Sequence, residues 1–497
     1  MNDFPRPDII PTGDATAILP LPGNHGEPIT VIGTAAIRGG FDDVCLKQAV
    51  NSRTAPGIDA LVLNPDAHLG YGAPVGCTMA SKTHIYPGPV GFDIKCSMSL
   101  LQLDLPAAAV DDKTVRRKLI DAICERTPTG AGKGQRQAPQ SRKVHAEIGK
   151  IVAVEGASKQ VCELLGIPRA WRHRCEDSHH LGHDNTQDAL KLRLDHLIDS
   201  GKFPAFANKI AQLGSYGGGN HFGECEVVEV EPGREALAEH FGLKDGKVAF
   251  LSHCGSRGFG HNLAQGQFRA LQAKFDAWGI PYPGGDKELC YAPLGTPEAN
   301  DYIDDMSLGA NFATVNHLLI NALVLEAFQE VIPGTTGSLV YLISHNIARQ
   351  EAVDGSLSWV MRKGATRAFP AGHHQLKDTP FAETGHPILL PGNPVAGSAV
   401  MVAEPGAEKS LFSVNHGAGR ALGRRRANRE LDQKTVDAQF DRADILSNCR
   451  QYPRDEAPAA YKDFDEVLKS VKLAGLANEV ARLKARFVVK DASKADD

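Results

Sequence analysis

A histidine stands within Ser413-Val414-Asn415-His416-Gly417-Ala418-Gly419-Arg420, between a predicted strand over 398–404 and the basic run Arg424-Arg425-Arg426. Glycine adds no side-chain bulk, so backbone of this kind approaches a ligand closely. Successive N–H groups in such a turn form a nest for an anion. Arg420 adds a planar fork suited to phosphate. An imidazole held there can ligate a metal, carry a proton or attack as a nucleophile. These residues leave the three roles open, beside that of a plain turn.

Four further loops place a ligand-type side chain at a predicted strand end or after a glycine run. They carry Asp93 with Cys96, Asn220-His221 after Gly217-Gly218-Gly219, His253 in Ser252-His253-Cys254-Gly255-Ser256-Arg257-Gly258, and His345-Asn346. One carboxylate, one thiolate and three imidazoles suit manganese or zinc better than magnesium or calcium. Five donors exceed the set of one zinc, and two ions sharing the cysteine use them better. Arg257, Arg362, Lys363 and Arg367 sit in glycine-bracketed loops and are expected to meet phosphate. Pro391-Gly392-Asn393-Pro394, with Ser398 beyond it, makes another close-approach loop. His173, Cys175, His179, His180 and His183 match no finger spacing and read as a solvated loop. The stretch 129–134 misses the phosphate-loop spacing and reads as a basic loop.

The elements that position these residues are short. Strands are predicted over 29–37, 58–63, 97–103, 225–230, 247–252, 338–344 and 356–362, with a polar, Gly-rich loop over 64–72. Helical spacing marks 115–126, 143–165 and 187–198, so about 107–205 reads as an α-rich insertion. Helices follow over 261–278, 306–332 and 464–487, then Val488-Val489-Lys490 and a polar tail, 491–497. The chemistry-bearing loops run from 64 to 420, so the whole chain, 1–497, is expected to form one catalytic unit.

Composition excludes some classes. The net charge is −5, so a nucleic-acid partner needs a local basic groove. Ten cysteines without a CxxC pair, behind an N-terminus without signal-peptide character, point to reduced thiols and a cytoplasmic protein. The best membrane candidate, 318–331, is cut by Asn321, Glu326 and Glu330, so no span is expected.

Taken in order, these loops resemble the RtcB family of RNA ligases, from about residue 29 to 490. The motifs that carry the resemblance are Asp66-Ala67-His68-Leu69-Gly70-Tyr71-Gly72, Val90-Gly91-Phe92-Asp93-Ile94 with Cys96, and Gly217-Gly218-Gly219-Asn220-His221-Phe222 with Glu224. His253 with Gly255-Ser256-Arg257-Gly258, His345-Asn346, the 362–368 loop, His416-Gly417-Ala418-Gly419-Arg420, Asp455-Glu456-Ala457-Pro458 and Ala460-Tyr461-Lys462-Asp463 continue it.

The resemblance implies an α+β fold, packed sheets flanked by helices around a single metal cleft. It implies an enzyme that joins RNA 3′-phosphate or 2′,3′-cyclic phosphate ends to 5′-hydroxyl ends, with GTP as co-substrate and manganese, two ions, as cofactor. His416 matches the histidine that carries GMP, and Asp93, Cys96, His221, His253 and His345 match the metal ligands. Asn220, Phe222, Glu224, Asn346, Pro391, Gly392, Asn393, Pro394, Ser398, Gly417, Ala418, Gly419, Tyr461 and Lys490 match the guanylate pocket, which His221, His345 and His416 border. Partners so implied are tRNA halves or damaged RNA, with an archease-like activator admitted and no membrane.

The chain departs from the family where it has Pro89, Lys95 and Ser97 for glycines, and in Asn393-Pro394-Val395-Ala396-Gly397, His317 and Gly423. Lys95 and Ser97 flank Cys96, and Lys95 is expected either to face the metal cleft or to turn out to solvent. Two other functions compete: a metal-dependent RNA-end phosphatase, and a non-ligating GTP- or RNA-binding paralogue. His416, Glu224 and Lys490 together favour the ligase, since a hydrolase needs no guanylate carrier.

Overall fold

Two mainly antiparallel sheets hold the loops in question, in an α+β arrangement. The computed structural model describes residues 6–24, 26–135, 142 and 144–491. The first sheet has seven strands, in the order Ile10–Pro11, Thr16–Leu19, Ile29–Ile32, Ile58–His68, Val75–Ser81, Ser356–Lys363, Asn346–Val353. The second runs Gly337–Ser344, Ser97–Pro106, Lys247–Cys254, Phe222–Val230, Ala477–Lys490, Gly397–Ala403, Pro387–Asn393, and Leu446–Ser447 pairs with Ala477–Lys490 off that path. A small ribbon pairs Ala365–Arg367 with Ser413–Asn415.

Register decides what meets at the end of the second sheet. Ser97 lies opposite Ser344 on one side and Cys254 on the other. Phe222 lies opposite both His253 and Lys490. Cys96, His221, His253, His345 and Lys490 therefore share one sheet end, although the chain between them is long.

Helix Pro297–Val331 backs this sheet. Thr296 accepts from the Ala299 N–H and Pro297 fills the first turn, a combination that fixes a helix start. The helix is long and apolar enough to cross a membrane, but 94% of its apolar window is buried inside the protein. It is a core helix, and its buried asparagines tie down loops that carry the site. Asn316 Oδ1 accepts from Gly214 N at 2.7 Å, and its Nδ2 donates to the Gly255 carbonyl at 3.0 Å. Helices Lys113–Cys124, Ala146–Glu155 and Gln187–Asp199 lie in the α-rich stretch, and Leu119, Val152 and Leu194 join the same buried cluster as Phe312 of the long helix.

Several predicted elements change. The predicted strand over 29–37 stops at Ile32, and helix Ala35–Gly39 follows, capped by Thr34. The predicted loop over 64–72 is in part strand: Ile58–His68 runs on, burying Asn64 and Asp66. The helix predicted over 143–165 is broken at Gly156, whose φ of 59° ends Ala146–Glu155. The C-terminal helix ends at Leu473, and Gly475, at φ 73°, turns the chain into the strand Ala477–Lys490. Its residues alternate apolar and polar through Ala481, Leu483 and Ala485, a period that suits a strand held between two others. The tail beyond Asp491 lies outside the described residues.

Candidate active site

Cys96, His221 and His253 bring one donor atom each to within 4.8 Å of one another, all three buried. Cys96 Sγ lies 3.5 Å from His221 Nε2 and 3.2 Å from His253 Nε2. Asp93 joins them, its Oδ2 lying 2.9 Å from His221 Nε2. Its other oxygen accepts from Ser256 N at 3.1 Å. A Cβ at Gly255 would sit 2.3 Å from that oxygen, so only glycine lets the loop pass so close. The His345 ring centroid is 5.1 Å from that of His253 and 4.7 Å from that of His416. His345 thus links the cluster to the second corner of the site.

The donor atoms face one another without hydrogens enough to satisfy them. His221 Nδ1 is 2.9 Å from the Tyr216 carbonyl, which only accepts, so Nδ1 carries the proton and Nε2 offers a lone pair. That lone pair points at a carboxylate oxygen and a sulfur. Only a proton or a cation reconciles the three. In the ion-free protein the proton does so: burial alone would lower the His221 pKa, but Cys254, Cys96 and Asp93 outweigh it and push it well above the ordinary value. Burial likewise opposes the ionised Asp93, yet His221 holds its pKa down at about 2. Burial and neighbouring imidazoles press His253 and His345 well below the usual histidine range, so both stay neutral. His345 Nδ1 is buried with no hydrogen-bond partner. Neutral imidazoles, an orphaned nitrogen, a thiol and a carboxylate are what a borderline divalent cation would complete.

The second corner joins the small ribbon to the first sheet. His416 follows Ser413–Asn415, whose Asn415 pairs with Ala365. Its Nδ1 lies 2.7 Å from Asp66 Oδ2 and 2.9 Å from the Gly364 carbonyl. Both neighbours accept, so Nδ1 carries the proton and Nε2 keeps its lone pair free. Asp66 is fully buried and also accepts from the His416 N–H at 3.2 Å. Gly419, at φ 74°, allows the turn past it: a Cβ there would lie 2.4 Å from the Asp66 carbonyl. Asn346 couples the corners, its Oδ1 accepting from Gly364 N at 2.8 Å and its Nδ2 donating to the Asp93 carbonyl at 3.3 Å.

Beside the His416 turn lies a narrow cavity lined by Phe222, Glu224, the 391–394 loop, Ser398, Tyr452, Glu456, Tyr461 and Lys490. The Ala418 N–H donates to the Pro391 carbonyl at 3.1 Å, which seats the His416 turn on its rim. Lys490 Nζ donates to the Gly219 carbonyl at 2.9 Å and lies 3.3 Å from Glu456. Tyr461 Oη donates to the same Glu456 at 2.5 Å. Asn220 is exposed, and Gly417 and Gly419 belong to the His416 turn rather than to the cavity wall.

Three residues in the site received no role from the sequence alone: Asp66, Tyr452 and Glu456. Asp66 and Glu456 lie in motifs that carried the resemblance, but nothing local showed what a carboxylate there would hold.

The expected phosphate contacts at Arg362 and Arg367 need correction, because both forks are already filled. Arg362 is fully buried and bidentate on Glu351, at 2.7 Å to each oxygen. Arg367 holds Glu176 at 2.6 Å and Asp177 at 2.7 Å. Lys363 is buried and donates to the Tyr71 carbonyl. Arg257 is also largely buried, with Nε 3.3 Å from Ser215 Oγ. Arg424 pairs with Asp455 and Glu456.

Lys95 takes neither expected direction. Its φ of 52° is the left-handed backbone that favours glycine, and its side chain has 0% exposure. Nζ donates to Thr314 Oγ1 at 2.7 Å, to the Asp177 carbonyl at 2.9 Å and to His180 Nε2 at 3.0 Å. It runs behind the cleft, and His180, expected in a solvated loop, is a buried strut that also meets Arg349 at 3.0 Å. All ten cysteines are unpaired.

A family profile described as tRNA-splicing ligase RtcB matches residues 48–491. The tRNA-splicing ligase RtcB of Thermococcus kodakarensis is 34% identical over 463 residues, 90% of this chain and 91% of that protein. Its counterpart in Archaeoglobus fulgidus is 35% identical over 468 residues, 90% of each chain. The RNA-splicing ligase RtcB of Mycobacterium tuberculosis is 33% identical over 455 residues, 88% of this chain and 98% of that protein.

Proposed function

The chain belongs to the RtcB family, and on that premise we propose that it is an RNA ligase, joining a 3′-phosphate or 2′,3′-cyclic phosphate end to a 5′-hydroxyl end through GMP carried on His416. The observation that carries this reading is the His416 tautomer. Nδ1–H is pinned by Asp66 and Gly364, so the lone pair is left on Nε2.

In the first step Nε2 attacks the α-phosphorus of GTP. A P–N bond forms, the P–O bond to the leaving diphosphate breaks, and pyrophosphate departs. Asp66 steadies the positive charge that the imidazole gains. In the second step a 3′-phosphate oxygen of the RNA attacks that phosphorus, and the P–N bond returns its electron pair to Nε2. The 5′-hydroxyl oxygen then attacks the activated 3′-phosphate, loses its proton and expels GMP. A cyclic phosphate must first be opened by water.

Asp93, Cys96, His221, His253 and His345 would hold manganese. Bound there, the metal supplies positive charge that offsets the triphosphate and aligns it. Phe222, Glu224, Ser398, Tyr461 and Lys490 would enclose the guanine and ribose, Glu224 accepting from the guanine N–H edge. The ten unpaired thiols fit a reducing compartment, the cytoplasm.

Intact-mass measurement after incubation with GTP and manganese tests the reading. A gain of one GMP, absent in His416→Ala, is the expected result. Release of phosphate from an RNA 3′-end with no guanylate adduct would make the protein an end phosphatase instead, and RNA or GTP binding with neither reaction would make it a non-ligating relative.

A further inference from the structure

Tyr71 is 67% exposed and Leu69 53% exposed, on a loop that has no slack. Gln48 clamps Gly70 from both sides, donating to its carbonyl at 2.8 Å and accepting from its N–H at 3.1 Å. The Tyr71 carbonyl accepts from Ala73 N at 2.7 Å and from Lys363 Nζ. A Cβ at Gly72 would lie 2.5 Å from the Glu288 carbonyl, so the loop is packed down beyond Tyr71 as well. The backbone is therefore fixed while the ring faces water. Burial in the core does not account for a large aromatic surface held out in this way.

Its neighbours are aromatic. The Phe92 ring meets it edge-on, centroids 6.3 Å apart, and rests on buried Phe268 at 4.7 Å. The exposed ring of His261 follows, 5.3 Å from Phe92. The strip adjoins residues of the site. Phe92 precedes Asp93 in the chain, and Lys363, which holds the Tyr71 carbonyl, precedes Gly364, which holds His416.

We propose that Tyr71, with Phe92 and His261, is a stacking platform for the unpaired bases adjoining an RNA end. The inference rests on the ligase reading. Every base has a π-face, so such a platform holds single-stranded RNA without reading its sequence. It also fits the chain's electrostatics. With the net charge at −5 and Arg362 and Arg367 filled by carboxylates, contacts other than phosphate would add to affinity.

The test is equilibrium binding of a short single-stranded RNA with a 3′-phosphate, carrying 2-aminopurine in its last positions. Wild type is expected to quench the fluorophore. Tyr71→Ala should weaken binding by roughly 5- to 150-fold, the range of one lost base–aromatic stack. Tyr71→Phe and Tyr71→Trp should bind like wild type, and Tyr71→Leu like alanine. Plots of log K against log salt should stay parallel for wild type and Tyr71→Ala, because stacking releases no counterions. Equal affinity of Tyr71→Ala, full affinity of Tyr71→Leu, or a changed salt slope would each overturn the platform while leaving the ligase reading in place. Wild type that neither binds this RNA nor takes up GMP would end both. Thermal melting of each variant checks the fold.

Discussion

Asp93 and Cys96 lie either side of Lys95 in the chain, yet the two faces of this loop are built on opposite principles. On the cleft side, a carboxylate, a thiol and three imidazoles crowd together with lone pairs facing one another, and His345 Nδ1 has no partner at all. On the far side, Lys95 meets a hydroxyl, a carbonyl and His180, and Arg349 and Arg367 share Asp177 with it nearby. Every cation there has an anion or an acceptor. The same residue types thus mark function on one face and structure on the other. What separates them is whether their hydrogen-bonding and charge demands are met within the protein. A basic or histidine-rich loop is a candidate ligand site only if the fold leaves it unfinished.

The largest effect expected from breaking this contrast is on the cleft side. Cys96→Ala should lower turnover by more than about 100-fold, beyond what a lost outer-shell partner costs a metal site, with little change in melting temperature. Guanylylation kinetics and thermal melts on one preparation check it, and near wild-type turnover would move Cys96 from the site to the core.

On the closed side the effect should fall on stability. Arg362→Ala strips both short hydrogen bonds from buried Glu351 and leaves it only Arg367 at 3.9 Å, a loss of up to about 3–5 kcal/mol, read by denaturant unfolding. The salt dependence of RNA binding should not change, because that guanidinium has no free donor to offer phosphate.

Lys95→Gly sharpens the comparison most directly. The substitution relieves a left-handed backbone but strips donors from Thr314, Asp177 and His180. A net loss of about 1–3 kcal/mol is expected. Manganese titrations of guanylylation should superimpose on wild type, since the ammonium points away from the cleft. A higher apparent manganese affinity would mean that its charge reaches the cluster after all.

The smallest effect concerns acid. Burial opposes the ionised Glu456, but Lys490, Arg424 and Arg420 outweigh it and bring its pKa from 4.5 to about 2. A depressed carboxylate pKa contributes stability that is complete above 4.5 and is lost as pH falls towards 2. The melting temperature of wild type should decline through that window, and Glu456→Gln, less stable at neutral pH, should show a shallower decline.

Much of the candidate site was legible along the chain because its donor residues stand at strand ends and in glycine turns. Cys96, His221, His253 and His345 each announce themselves by residue type beside a strand or glycine run. Lys490 was legible only by resemblance, since the local pattern over 464–487 reads as a helix. Its second part, from Ala477, is a strand because its neighbours on both sides, Phe222–Val230 and Gly397–Ala403, supply ladder partners that a local window does not contain.

By itself, then, the sequence determined the chemical inventory and the family, because motif residues are short-range and their types are fixed by the chemistry they serve. The tertiary structure alone decided which of those groups remain unsatisfied. Whether Lys95 faces a metal or a threonine and which nitrogen of His416 is free depend on Thr314 and Asp66, far away in the chain, and whether Arg362 meets RNA or Glu351 depends on how two neighbouring strands pair. Those partners are set by register and packing, which no local spacing encodes.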